Sequence, residues 1–349
     1  MKLGSLFDGS GGFPLAGAMC GIEPVWASEI EPFPIKVTTA RFPGMKHLGN
    51  VKEIKGGEIE PVDILTFGSP CQDVSLAGRR NGLHIGKRSS LFFEAIRIVE
   101  EMRNATTNNY PRFIVFENVP GLFTSNNGDD FRTVLQSLCD LCREGNTIPK
   151  PSTGEGWQPV GSVLGTGYSI AWRVYDAERF GMPVRRKRIY LIADFRSERA
   201  AQTLFGESFL QWDSDKGGKT WQNASKFVAG CFERELLTNP DYIKNNEVIV
   251  FKERAGKGGG GKGILFDNKT AFTLATIVEQ AICYESTSGE KVVRRFTKTE
   301  LARLQGFPDW WTDGVDGNYL DHNRLWGNGI SLPCAVDVLG RLAKEGGKA

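Results

Sequence analysis

Along the first two hundred residues, short runs of β-branched and aromatic residues alternate with stretches whose apolar positions recur every three or four residues. That is the pattern of βαβ units around a mostly parallel sheet. KLGSLFDG, VWASEI, DILTFGSP, RFIVFENV and RIYLIADF read as strands. Between them SSLFFEAIRIVEEM sets Phe92, Ala95, Ile96, Val99 and Met102 on one helical face, and DFRTVLQSLCDLC does the same with Phe131, Val134, Leu135, Leu138 and Leu141. From about Glu198 to Val293 the alternation fades into polar sequence with scattered aromatics, the run GKGGGGKG and the strand-like KTAFTLAT. KTELARLQGF and SLPCAVDVLGRLAKEG then read as helices, the second with Leu332, Val336, Leu339 and Leu342 on one face. The expected fold is α/β, a mixed, mostly parallel sheet with a second, smaller domain. The first domain spans residues 1–197 and is completed by 318–349, with 198–317 as the second.

The 349 residues are 40% hydrophobic and 24% charged, enough for a sizeable core and against disorder. Charges interrupt every apolar run well before the ~20 residues of a membrane span, and MKLGSLFDGSGGF has no signal-peptide pattern, so a cytoplasmic protein without a membrane partner is expected. Seven irregularly spaced cysteines then read as free thiols. Cys139 and Cys142 form a CxxC without a second pair, and the three histidines are His47, His84 and His322, so no metal site is expected. Gly256, Gly261 and Lys262 approach a P-loop, but Gly263 follows and ILFD reads as strand, which excludes it.

The formal net charge of +2 is uneven: residues 1–75 hold six Lys/Arg against nine Asp/Glu, and residues 244–303 eleven against seven. Arg79, Arg80, Lys87 and Arg88 form one basic cluster, and Arg185, Arg186, Lys187 and Arg188 another. Either alone reads as solvated surface.

Three strand ends carry candidate chemistry. FDGSGGF follows the first strand and opens a helix, so its glycines let a ligand approach backbone N–H groups, while Glu29, ending the next strand, suits ribose hydroxyls. The glycine spacing is not GxGxxG, and an adenosine-containing cofactor fits better than a dinucleotide. Cys71 lies in GSPCQDVSLAG just past the strand DILTF, and Glu117 ends RFIVF, which brings a thiol and a carboxylate to one edge of the sheet. Such a pair suits a particular reaction. Cytosine C5 is too poor a nucleophile to accept a methyl group directly; thiolate addition at C6, with an acid on N3, turns the ring into an enamine that is nucleophilic at C5. The base must first be rotated out of the duplex.

With FDGSGGF, GSPCQDVSLAG, SSLFF, ENV, RRKRIY, RRFTKTELARLQGFP and WGNGISLP in that order, the chain resembles the DNA (cytosine-5) methyltransferase family over almost its whole length. The resemblance implies a Rossmann-like S-adenosylmethionine-dependent methyltransferase fold, with the second domain choosing the target. It implies Cys71 as nucleophile, Glu117 on N3 and the amino group, Arg188 on the cytosine O2 and Arg186 in support. Phe7, Gly9, Gly11, Gly12, Glu29, Ile30, Asn50, Val51, Pro70, Leu91 and Asn328 would surround S-adenosylmethionine. Residues 73–90 would close over the flipped base. Arg79, Arg80, Arg88, Arg254, Lys257, Lys262, Thr273 and Leu274 would contact double-stranded DNA. A monomer is expected, and a restriction endonuclease acting on the same site is a partner the resemblance allows. Three positions depart from the family pattern: Asn50 stands for a usual Asp, Val184 for Gln, and Gly329 for Ser or Ala. Rival readings are a transfer-RNA cytosine-5 methyltransferase, an inactive DNA-binding regulator of the same fold and, more distantly, a nicotinamide dehydrogenase.

Overall fold

A computed structural model describes residues 1–69, 91–142, 147–152, 155–206, 243–255, 262–268 and 270–346. Eight strands form the main sheet: β1 (Lys2–Leu6), β2 (Glu23–Ser28), β3 (Lys46–His47), β4 (Ile64–Phe67), β5 (Phe113–Asn118), β6 (Val160–Gly165), β7 (Tyr168–Asp176) and β8 (Lys187–Asp194). Their order is β3-β2-β1-β4-β5-β8-β7-β6. All five strands read from the sequence are present. The pairs from β3 to β5 are parallel, whereas β8 runs antiparallel to β5, with Glu117 opposite Tyr190 and Asn118 opposite Ile189. This reversal matters for function. In a parallel β8 the residues that open the strand would lie at the far edge of the sheet; antiparallel, they meet the end of β5.

Helices cover both faces. On one lie α1 (Gly12–Met19), α2 (Pro32–Arg41) and, late in the chain, α8 (Leu332–Gly346); on the other lie α3 (Leu91–Ala105) and α4 (Asp129–Asp140). The apolar stripe of α8 is fully used: Leu332, Val336, Leu339 and Leu342 are all buried, each contributing about 1.5–3 kcal/mol of transfer energy. In α3 the buried set is Phe92, Ala95, Ile98, Val99 and Met102, so Ile98 takes the place expected of Ile96.

The second sheet is antiparallel, β10-β9-β11-β12, built from β9 (Ile243–Ala255), β10 (Lys262–Asp267), β11 (Gln280–Ser286) and β12 (Lys291–Arg294). Val250, Ile282 and Phe296 bury into the same core as α8, so the two sheets share one apolar interior. The helix α5 (Ala200–Phe205) lies against β7 and α8. After α6 (Lys298–Leu304), which Thr297 and Glu300 close with a capping box, Trp311 Nε1 donates to the Ser10 carbonyl at 2.8 Å. Arg41 of α2 donates to the carbonyls of Trp310 and Trp311, each at 2.7 Å. The segments just after residue 198 and just before 317 are thus struts on the first sheet. KTAFTLAT departs from its strand-like reading: among its described residues, 270–276, the one bridge is Ala271 to Val184, and the others belong to no strand.

Candidate active site

Phe7 and Gly9 follow β1 with φ of 55° each, and Gly11 with φ of 75°, left-handed turns that bend the chain into α1. The glycines serve different ends. Where a Cβ would stand on Gly9, only the Phe7 carbonyl oxygen lies within reach, at 3.9 Å, so the backbone is bare toward a ligand. At Gly11 a Cβ would meet Thr38 Cγ2 at 2.7 Å, and at Gly12 it would meet Ile330 Cγ1 at 2.5 Å. Those two serve close packing.

Glu29 fixes this turn. Its Oε2 accepts the Gly9 N–H at 2.8 Å, and its Oε1 accepts those of Ile30 and Glu31 at 2.8 and 3.0 Å. A carboxylate offers about four acceptor positions, so one remains on Oε2. Beside it Ile30 is 65% exposed, an apolar surface at a strand end with no packing duty. Asn50 Oδ1 accepts the Lys52 N–H at 3.1 Å and caps the short turn Val51–Glu53, whose Val51 is buried. Leu91 opens α3, half-buried, and Asn328 ends helix α7 (Tyr319–Asn328), exposed.

Asp8 is a site residue that sequence reasoning missed. It is buried in the glycine turn, Ser5 Oγ donates to its Oδ1 at 2.7 Å, and its Oδ2 has no partner among the described residues. Burial, opposed by the Ser5 hydrogen bond and aided by the charge of Glu29, pushes the carboxyl from its ordinary 3.8 up to about 7. Between those values the folded protein holds a proton that the unfolded chain has released, so Asp8's contribution to stability declines as pH rises through the window and is flat above it. Asp8→Asn, carrying no charge, is expected to gain thermal stability relative to the wild type as pH rises from about 4 to about 8, with a ceiling on the order of 4 kcal/mol. Melting curves across that range check it; a constant difference would contradict it.

The second half of the site forms where β4 and β5 end. Pro70 and Cys71 lie outside the described residues, but the two residues before them are placed. A Cβ on Gly68 would lie 3.1 Å from Glu117 Oε2, so glycine there lets the chain run close along the carboxylate. Asn118 Nδ2 donates to the Ser69 carbonyl at 3.0 Å, while Asn118 Oδ1 accepts the Val119 N–H at 2.8 Å. The asparagine of ENV thereby holds the end of β5 to the segment leading directly to Cys71.

Glu117 is buried, and Arg188 Nε lies 3.1 Å from its Oε1 in an ion pair whose orientation leaves that oxygen without a hydrogen bond. Arg188 Nη1 donates to the Lys187 carbonyl at 2.7 Å. Arg186 is 2% exposed; its Nη2 donates to the Gly329 carbonyl, and its Nε and Nη1 have no partner among the described residues. Burial, reinforced by the charge of Arg188, pulls its guanidinium down to about 10. The basic cluster that reads in isolation as surface is split by strand geometry. Arg186 and Arg188 turn inward, whereas Arg185 pairs outward with Asp267 and Lys187 with Asp176. A buried carboxylate beside guanidinium donors left open suits a flat, polar ring.

The DNA-contact expectations fare differently. Arg79, Arg80, Arg88 and Lys257 lie outside the described residues. Arg254 is in β9 and Lys262 in β10, and only their backbones are described. Leu274, expected on DNA, is 5% exposed and packs in the core, because the loop that carries it is pressed between two sheets. The Thr273 hydroxyl donates to the Arg185 carbonyl.

The mixed, mostly parallel sheet with helices on both faces is an α/β fold of the Rossmann-like class. The family model for C-5 cytosine-specific DNA methylases matches residues 1–142 and 162–344. The chain therefore belongs to the C-5 cytosine-specific DNA methylase family and is an enzyme of DNA cytosine methylation. Type II methyltransferase M.MspI of Moraxella sp is 30% identical over 343 residues, 97% of this chain and 69% of that protein. The DNA N-6-adenine-methyltransferase of Escherichia phage P1 is 26% identical over 399 residues, 88% of this chain; the chain spans 53% of that relative. Among solved structures, the S. pombe Dnmt2 methyltransferase shares the fold at a TM-score of 0.56 and 16% identity, with 100% of both chains covered.

Proposed function

We propose that this chain methylates C5 of a cytosine rotated out of double-stranded DNA, by way of a covalent bond between Cys71 and C6. The observation that carries this reading is the junction of β4 and β5. Gly68 and the Asn118 bond to Ser69 bring the chain that enters Cys71 against the buried Glu117, itself paired with Arg188.

Residue by residue, Cys71 adds as thiolate to C6. Glu117 binds N3 and the exocyclic amino group, holding or supplying the proton that lets the ring accept the thiolate. Arg188 holds O2, and Arg186, fixed on the Gly329 carbonyl, keeps positive charge behind both. Burial on this edge excludes water, which strengthens each of these contacts. Once C5 is methylated, loss of its proton to solvent breaks the C6–S bond and restores the C5=C6 double bond, Cys71 leaves as thiolate, the N3 proton returns to Glu117, and the base returns to the stack.

S-adenosylmethionine fits the other half of the site, where Gly9 is bare, Glu29 keeps one acceptor position and Ile30 offers an unpacked apolar surface. When bound it supplies an electrophilic methyl group. Phe7, Gly9, Glu29, Ile30, Asn50, Val51, Pro70, Leu91 and Asn328 would hold it, while Gly11 and Gly12 act by letting the turn pack.

Target choice is assigned to residues 198–317, with β9 to β12 as its framework and Arg79, Arg80, Arg88, Arg254, Lys257 and Lys262 on phosphates. The enzyme works as a monomer in the cytoplasm, where a restriction endonuclease of the same specificity is a compatible partner. No helix among the described residues is long and apolar enough to cross a membrane. The test is transfer of labelled methyl from S-adenosylmethionine to duplex DNA and to transfer RNA in parallel. Label at cytosine C5 of DNA is expected; label confined to transfer RNA would overturn the assignment.

A further inference from the structure

Gln280, the first residue of β11, is buried and uses its whole side-chain amide on one neighbouring loop. Its Oε1 accepts the Phe272 N–H at 3.0 Å, and its Nε2 donates to the carbonyls of Phe272 and Thr273 at 3.0 and 3.2 Å. A single side chain thus does for that loop what a neighbouring strand would do, satisfying backbone groups that burial would otherwise leave unpaired.

The loop's other side is bonded to the segment that opens β8. Ala271 N–H donates to the Pro183 carbonyl at 2.7 Å, Arg185 N–H donates to the Ala271 carbonyl at 2.9 Å, and the Thr273 hydroxyl donates to the Arg185 carbonyl. The next residue along is Arg186, and two further is Arg188 on Glu117. The same loop also meets α7, where Asn323 Nδ2 donates to the Ala275 carbonyl at 3.0 Å, five residues before Asn328. The link from the second sheet to the segment that carries the guanidinium groups therefore passes through hydrogen bonds from Gln280 to residues 272–273 and from residues 271 and 273 to residues 183 and 185, completed by the short backbone from Arg185 to Arg188, and Gln280 is its anchor in β11.

We propose that Gln280 is a positioning residue that sets Arg186 and Arg188 against Glu117 from the four-stranded sheet, coupling the target-choosing domain to the chemistry. The proposal rests on the reading of those arginines as base-binding groups. Gln280 touches neither substrate nor cofactor; its effect passes through the backbone of residues 271–273 and 183–185. Unlike a residue that only packs, it acts through a hydrogen-bond donor, and a donor can be removed and restored.

Two variants make the test. Gln280→Leu keeps the volume and removes all three bonds. Gln280→Glu keeps the acceptor toward Phe272 N–H but sets a carboxylate against two carbonyl oxygens until it is protonated, when its O–H donates again. Single-turnover methyl transfer to the duplex that the wild type methylates is measured where circular dichroism shows each variant folded, with S-adenosylmethionine affinity by calorimetry. Gln280→Leu is expected to slow transfer ~10-fold or more, as small misplacements of reacting groups do, at unchanged cofactor affinity. Gln280→Glu is expected to be as slow at about pH 8.5 and to recover toward wild type as pH falls to about 6, because burial beside carbonyl oxygens raises its carboxyl. The Leu deficit should not change with pH. Wild-type rates in both variants, a Glu deficit equal at every pH, or a fall in cofactor affinity matching the fall in transfer would each overturn the proposal. A wild type that leaves C5 unmethylated would overturn the functional reading and this inference with it, whereas active wild type with undisturbed variants overturns this inference alone.

Discussion

Glutamine in place of Glu117 is expected to lower methyl transfer by about 10² to 10⁴, the range that a positioned general acid contributes. The carboxylate is buried, and its Oε1 makes an ion pair with Arg188 but no hydrogen bond, so an acceptor position on it is unused among the described residues. Glutamine keeps the shape and can still meet the ring, but it neither supplies a proton to N3 nor balances the two guanidinium groups. Glutamine fills the same space beside Gly68, where there is no Cβ to displace it, so the path into Cys71 is preserved. S-adenosylmethionine affinity, set at the ends of β1 and β2, should be nearly unchanged. Single-turnover transfer and calorimetry on Glu117→Gln measure the two quantities; full turnover in the variant would remove Glu117 from the chemistry.

Methionine in place of Arg186 separates activity from stability. A buried guanidinium with two nitrogens unpartnered among the described residues carries a desolvation cost, which is why its ionisation is pulled down to about 10. Methionine fills similar volume without that cost, while the Gly329 carbonyl loses its donor, a penalty of about 1–3 kcal/mol. The two largely offset, so the melting temperature should shift by only a few degrees in either direction. Transfer, by contrast, should fall on the order of 10² to 10³, as it does when a preorganised donor is removed from a water-excluded site. A loss of activity no larger than the loss of folded protein would show that Arg186 is structural.

The strand pattern was legible where strands are buried on both faces, because β4, β5 and β8 carry near-continuous apolar runs. The hairpin of β6 and β7 was not. Gly161 and Gly165 blur the signal of β6, yet each glycine sits opposite a ring, Trp172 and Tyr168, that a Cβ would strike at 2.2 and 1.9 Å. The glycines that hide the strand are what let it pair. The direction of β8 was likewise out of reach, since apolar periodicity is the same in either direction.

Within the site, strand ends announced Glu29 and Glu117, because charged residues that terminate apolar runs stand out. Arg186 and Arg188 were legible only through the resemblance, since four consecutive cations read as surface until strand alternation sorts them. Asp8 gave no signal, an aspartate in a glycine turn being ordinarily solvated. Gln280 gave none either, for its partners are backbone atoms seven and eight residues away in a loop whose sequence imitates a strand. Leu274 shows the opposite failure: a motif match placed on DNA a side chain that the core claims.

The central claim, a covalent bond between Cys71 and cytosine C6 during methyl transfer, is tested most directly by duplex DNA carrying 5-fluorocytosine at the methylated position. Fluorine does not leave as a proton does, so after methyl transfer the elimination step stops and enzyme and DNA stay joined. With S-adenosylmethionine, the wild type is expected to run as a protein–DNA adduct on a denaturing gel, and peptide mapping is expected to place the link on Cys71. Cys71→Ser is expected to give no adduct. An adduct that persists in Cys71→Ser, or methylation of ordinary DNA without any adduct to the fluorinated duplex, would contradict the account.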